Sequence, residues 1–164
     1  AAARAAGAEV VLAIDKVAAK ESVARRMGAT HFAAADANPF AKVRELTGGR
    51  GADFVFEAVG HPKLQEQCLR LVRPGGTVVL VGLSPMGSAT NLPGAVLTRR
   101  ELTVMGSYYG SIDAARDFPK FADDYRARRL PLDALITRTY DLAEINEAYS
   151  ALLAGELARA VIVF

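Results

Sequence analysis

Asp15 is the residue best placed to do chemistry in this sequence. It closes the apolar run Val11-Leu12-Ala13-Ile14. In doubly wound nucleotide-binding folds, ligands sit beyond the carboxyl ends of the strands. A carboxylate there can accept hydrogen bonds from both hydroxyls of an adenosine ribose. It would also repel a 2′-phosphate, which favours NAD over NADP. The plainer reading is a solvated aspartate that caps the following helix. The usual partner of such a carboxylate is a glycine-rich loop roughly 20 residues upstream. That loop holds a pyrophosphate at a helix N-terminus, where free N–H groups and the dipole face the anion. Only the residues from Ala1 to Ile14 precede Asp15, and Gly7 is the one glycine among them. Ala1 to Ala6 reads as the last turns of the helix that follows such a loop. The expectation is a sequence that starts just after the phosphate loop, without the first strand. That strand usually lies between the second and fourth, so its absence would leave two inner edges unpaired.

Metal chemistry finds no support in the residue spacing. There is one cysteine, Cys68, and there are two histidines, His31 and His61. They share no zinc-ligand spacing, and one cysteine allows no internal disulfide. Cys68 falls in the helical pattern Leu64, Cys68, Leu69, Val72, so a buried structural thiol is expected. No catalytic residue and no metal ligand are assigned to this chain.

The elements that position Asp15 follow from alternating apolar periods. Short β-rich runs are Val10 to Ile14, His31 to Ala34, Phe54 to Phe56, Thr77 to Val81, Leu102 to Met105 and Val161 to Phe164. Between the early ones, apolar residues recur three or four apart: Val17 to Met27, Phe40 to Leu46 and Leu64 to Val72. Asn38 is the expected N-cap of the second helix, with Pro39 at its first position. Val10–Ile14 and Thr77–Val81 are apolar on both faces, as parallel strands covered by helices are. Strand alternating with helix predicts an α/β, Rossmann-like doubly wound parallel sheet. The pattern changes near Gly106. A helix over Ala114 to Arg128, a strand at Ile136 to Thr139, a helix over Leu142 to Leu153 and a last strand are expected. Asp141 and Glu144 form a capping box for the last helix, and Gly155 ends it. This tail reads as another structural unit.

Composition excludes several classes. The chain has 164 residues, 51% hydrophobic and 23% charged, enough to bury a core and too apolar for disorder. A net charge of +2 with scattered basic residues argues against nucleic acid. No apolar run reaches the ~18–20 residues that span a bilayer. The sequence reads as cytoplasmic.

Several blocks carry a family resemblance. They are Asp15-Lys16 with Lys20, Ala24-Arg25-Arg26-Met27-Gly28-Ala29-Thr30, Gly48 to Gly60, and Leu71-Val72-Arg73-Pro74-Gly75-Gly76-Thr77. Together they resemble the zinc-containing medium-chain alcohol dehydrogenases, over essentially the whole chain. The block Gly48 to Gly60 is the most specific. The resemblance implies NAD as coenzyme and hydride transfer between an alcohol and an aldehyde. It implies an NAD-binding domain over 1–109, truncated at its start, and over 110–164 the C-terminal return into a catalytic domain. Asp15 and Lys20 then match the groups at the adenosine ribose. Ala58 and Val59 match the turn along adenosine and ribose. Val81, Gly82 and Leu83 match the turn bordering the nicotinamide, where a glycine lets the backbone approach a ring. Ser107 and Tyr109 match positions that hold the carboxamide, and Arg159 an arginine that pairs with the pyrophosphate. Val59 and Val81 could instead be core residues, and Arg159 a strand-edge charge. The resemblance places zinc in the intact enzyme, on ligands outside this chain. It implies a small alcohol or aldehyde substrate, and a homodimer or homotetramer formed through the strand 102–106.

Three other readings stand beside it. A zinc-free quinone reductase of the same superfamily would prefer NADPH. A methyltransferase would also place an acid after its second strand, though the Phe56 to Gly60 turn suits a dehydrogenase better. A nucleotide-binding module without catalysis would need no zinc ligands at all.

Overall fold

The computed structural model describes residues 1–35 and 38–164. In chain order the main elements are α1 (Ala2–Ala5), β1 (Leu12–Asp15), α2 (Glu21–Arg26), β2 (His31–Ala34), α3 (Pro39–Leu46), β3 (Ala52–Glu57), α4 (Pro62–Leu71), β4 (Val72–Leu80), α5 (Gly94–Arg100), β5 (Thr103–Gly106), α6 (Ala114–Arg126), β6 (Ile136–Asp141), α7 (Ile145–Ala154) and β7 (Arg159–Val163). Every described strand pair is parallel: β1 with β2, β3 with β4, β4 with β5, and β6 with β7. The alternating α/β pattern expected from the sequence is therefore realised. The tail is the expected helix-strand-helix-strand sequence, and its two strands form a sheet of their own.

The contacts sort the chain into two compact units. One holds Asn38–Asp113, and the other combines Ala1–Ala37 with Ala114–Phe164.

In the unit Asn38–Asp113, the sheet order is β3-β4-β5. Its core is Cys68, Leu69, Val72 and Val78, ringed by Val55, Leu80, Leu97 and Val104. Val72 and Val78 are 1% and 0% exposed, and burying each stabilises the fold by roughly 1.5–3 kcal/mol. Asn38 caps α3 as expected, its side-chain oxygen accepting from the Ala41 amide at 3.3 Å. The strand β4 begins at Val72, earlier than the Pro74-Gly75-Gly76 turn signal suggests. A register irregularity between Ala52 and Phe54 absorbs those residues.

In the other unit, Tyr140, Ala148 and Leu157 form the core, with Ala151, Ala160 and Ile162 against it. The expected capping box is present: Asp141 and Glu144 bond reciprocally around the turn that opens α7. Gly155 ends α7 in the left-handed conformation. The predicted helix Val17–Met27 divides into a 3₁₀ turn, Ala18–Lys20, and then α2.

Candidate functional site

The sequence-derived residues fall into two groups, one in each unit. Asp15 ends β1, and its carboxylate has two partners. Oδ1 accepts from the Val17 N–H at 2.9 Å, and Oδ2 lies 3.7 Å from Lys20 Nζ. The capping role is thus real, but it occupies one oxygen only. The side chains of Asp15 and Lys20 are 35% and 31% exposed, so their attraction is weak, ~0–1 kcal/mol. A ligand could compete for it. Both residues line a cavity of about 220 Å³ together with Ile14, Phe32 and Ala158. Lys20 also lines a larger cavity of about 540 Å³ with Ser22, Arg26, Thr137, Glu156 and Ala158. Arg159 follows Ala158 at the start of β7. Its guanidinium is exposed and donates to the Ala158 carbonyl at 2.9 Å.

In the unit Asn38–Asp113, two turns meet at the carboxyl ends of β3 and β4. The first is Ala58-Val59-Gly60, and the second is Val81-Gly82-Leu83. Val59, Val81 and Leu83 are exposed at 73%, 44% and 81%. Neither valine is a core residue of this chain. Gly60 has φ +83, and a Cβ there would sit 2.3 Å from the Leu83 carbonyl oxygen. Only glycine meets both conditions. Ser107 follows β5, its amide donating to the Leu80 carbonyl at 2.9 Å. Tyr109 is exposed, packs edge-on against Tyr108 with ring centroids 4.8 Å apart, and has φ +52. Strain of this kind at a non-glycine residue gathers at ligand-handling segments.

Two residues of this region escaped the sequence reading. Glu57 and Gln65 are buried, 4% and 5% exposed. Glu57 stood inside the quoted Gly48 to Gly60 block but was not assigned a role. The available signal was an acid closing a strand immediately before a glycine turn. Cys68 is buried as expected. Burial, and after it the charge of Glu57, pushes its thiol up to about 11, so little thiolate forms at neutral pH.

Zinc needs a set of Cys, His or carboxylate donors around one point. Among the described residues, no group of three or more His, Cys, Asp or Glu could hold a metal ion. These residues do not fit a zinc centre. In one unit Asp15 closes a parallel strand beside a cavity, and in the other Gly60 and Gly82 leave no bulk where two turns meet. Among the described residues no helix is long and apolar enough to cross a membrane.

Residues 1–126 match the zinc-binding dehydrogenase family. This chain belongs to that family. The zinc-binding dehydrogenase chain is 40% identical over 162 residues to the NDMA-dependent alcohol dehydrogenase of Amycolatopsis methanolica, covering 96% of this chain and 43% of that protein. It superimposes on benzyl alcohol dehydrogenase from Acinetobacter calcoaceticus with a TM-score of 0.92 at 26% identity, over 98% of this chain and 44% of that one. A zinc-binding dehydrogenase homologue from Sinorhizobium meliloti 1021, solved bound to NADP, gives a TM-score of 0.78 at 29% identity, over 91% of this chain and 43% of that one. The α/β fold expected from the sequence is therefore that of the alcohol dehydrogenases. The chain spans less than half the length of the curated relatives it matches.

Proposed function

We propose that this zinc-binding dehydrogenase chain is the coenzyme-binding portion of an alcohol dehydrogenase that transfers hydride between an alcohol or aldehyde and NAD. The observation that carries the reading is Asp15. It stands at the carboxyl end of β1, half-exposed, with one oxygen 3.7 Å from Lys20 Nζ. That arrangement suits two ribose hydroxyls and opposes a 2′-phosphate.

The remaining residues take the following roles in this reading. Lys20 lies beside the same ribose. Ala58 and Val59 border the adenosine and its ribose. Val81, Gly82 and Leu83 border the nicotinamide, Ser107 and Tyr109 hold its carboxamide, and Arg159 pairs with the pyrophosphate. Residues 1–109 form the dinucleotide-binding domain, and 110–164 return to the catalytic domain. The coenzyme, when bound, accepts or returns a hydride. This chain's own residues bind and orient it. In this reading the alcohol is bound and activated by the remainder of the whole protein. Zinc would be held there too. The strand β5 pairs with β4 alone among the described residues, which suits a homodimer or homotetramer built across that edge.

Titration of the whole protein with NADH and with NADPH, followed by nucleotide fluorescence, tests the reading. NADH is expected to bind at least about tenfold more tightly, the scale of one charge-assisted contact. Binding of neither nucleotide would remove the dehydrogenase reading. Preference for NADPH would favour the quinone-reductase alternative over the NAD-dependent reading.

A further inference from the structure

We propose that Glu57 is a positioning residue for the coenzyme, holding the two turns that would border the dinucleotide in one fixed relation. The inference rests on the dinucleotide reading above.

One residue reaches both turns. Glu57 Oε1 accepts from the Val59 amide at 2.8 Å and the Gly60 amide at 2.9 Å, and Oε2 lies 3.1 Å from the same Gly60 nitrogen. These bonds tie the side chain to the first turn. The main-chain carbonyl of Glu57 accepts from Val81 at 2.8 Å and from Gly82 at 2.9 Å. These bonds tie the same residue to the second turn. Gln65 extends the network. Its Nε2 lies 3.5 Å from Glu57 Oε2 and donates to Ser84 Oγ at 2.9 Å. Its side-chain oxygen accepts from the Thr90 hydroxyl. The segment after β4 is thereby fastened to α4.

The chemistry demands an acid at this position. Every partner of the carboxylate is an N–H donor. A neutral amide would turn an NH₂ toward one of them and leave a buried donor unpaired. Burying a charge is costly unless it is fully hydrogen-bonded. Here that charge bonds the first turn directly and reaches the segment after the second through Gln65 and Ser84, while the side chains of Val59 and Leu83 are exposed rather than packed. Precise placement of a ligand-facing backbone explains a buried charge here better than core packing does.

The test is Glu57→Gln in the whole protein that carries this chain, with NADH and NADPH titrations, steady-state kinetics and thermal unfolding. The dissociation constant for NADH is expected to rise about tenfold, as for loss of one or two charge-assisted bonds. The KM for the alcohol is expected to stay within about twofold, since Glu57 holds turns assigned to the coenzyme rather than to the alcohol. A purely structural role would lower the unfolding midpoint and leave NADH affinity of the folded protein unchanged. That result overturns the proposal. If Glu57→Gln does not fold, Gln65→Met takes its place, because it deletes the Gln65 bonds to Glu57, Ser84 and Thr90 and keeps a helix-compatible stem. NADH affinity is then expected to fall about threefold, as for loss of neutral and partly charge-assisted bonds away from the ligand. Unchanged affinity overturns the proposal in that case as well. A wild-type protein that binds neither nucleotide overturns the dinucleotide reading itself and the assignment of Glu57 with it. That failure is seen before any variant is made.

Discussion

A methyl group on Gly82 would lie 2.0 Å from the amide nitrogen of Gly60. The turns after β3 and β4 therefore touch through bare backbone. Nothing larger than hydrogen fits, and the neighbour is main chain, which cannot swing aside. Gly82→Ala is expected to destabilise the protein by about 3 kcal/mol, the upper range for overpacking. Gly94 is the control. A methyl there meets nothing within 4 Å and its φ is not positive, so Gly94→Ala should stay within about 1 kcal/mol of wild type. Denaturant unfolding of the two variants checks the contrast.

Asp15 and Lys20 form a half-exposed pair at the mouth of a cavity. Asp15→Ala should leave stability within about 1 kcal/mol, because pairs this exposed contribute little. Its effect should appear in binding instead. NADH affinity of the whole protein is expected to fall about tenfold, the worth of a charge-assisted contact to ribose hydroxyls, while NADPH affinity holds or rises. Equal NADH affinity in fluorescence titrations would take Asp15 out of the site.

Burial raises the Cys68 thiol from 9.0 to about 11. At pH 8 the native thiolate should be about a hundredfold scarcer than in the unfolded chain. An aromatic disulfide reagent should therefore label native protein at least about a hundredfold more slowly than protein in denaturant. The sign of the stability effect follows. A raised folded value favours the protonated native state, so this contribution is complete below pH 9 and is lost as pH rises through 11. Replacing Cys68 with Ala should flatten that alkaline decline and cost some core packing.

The Arg73 guanidinium, hydrogen-bonded to Asp53 at 2.5 Å, holds the Asp53 carboxyl below its ordinary range against a smaller opposing effect of burial. A lowered carboxylate stabilises the fold at pH above the ordinary range and loses that contribution as pH falls through its depressed value. Asp53 is 55% exposed, so the effect is small. Arg73→Gln should cost less than about 1 kcal/mol at neutral pH. The difference should vanish once acid protonates Asp53 and shrink in 1 M salt. Thermal unfolding across pH and salt measures it.

Local signals in the sequence specify several features of the fold. The Asn38 cap, the Asp141–Glu144 box and the Gly155 stop each depend on residues within one helical turn, so their chemistry shows in the chain itself. The strand His31–Ala34 was equally legible, being a short apolar run between two helices. The helix α5 was not. Its segment, Gly94-Ala-Val-Leu-Thr-Arg-Arg, begins with glycine and shows no apolar stripe. What holds it is distant. Leu97 packs on the core, and the Arg100 guanidinium donates to the Leu69 carbonyl at 2.6 Å and to the Val72 carbonyl. The candidate site divided the same way. Asp15 was visible because it ends an apolar run. Glu57 was passed over because an acid after Phe56 shows nothing of its surroundings by itself.

The sequence alone determined most of the strands and helices, α5 excepted, where the Asn38 and Asp141 caps fall and which carboxylate closes β1. Those outcomes depend on the periodicity of apolar side chains and on hydrogen bonds between near neighbours. Tertiary structure alone decided that Phe54 lies beside Thr77 and Glu57 beside Leu80. That pairing brings Gly60 against Gly82 and buries Glu57 where four backbone amides converge. No short-range rule encodes it. It arises only when residues far apart in the chain share one sheet and must satisfy each other's donors and acceptors away from water.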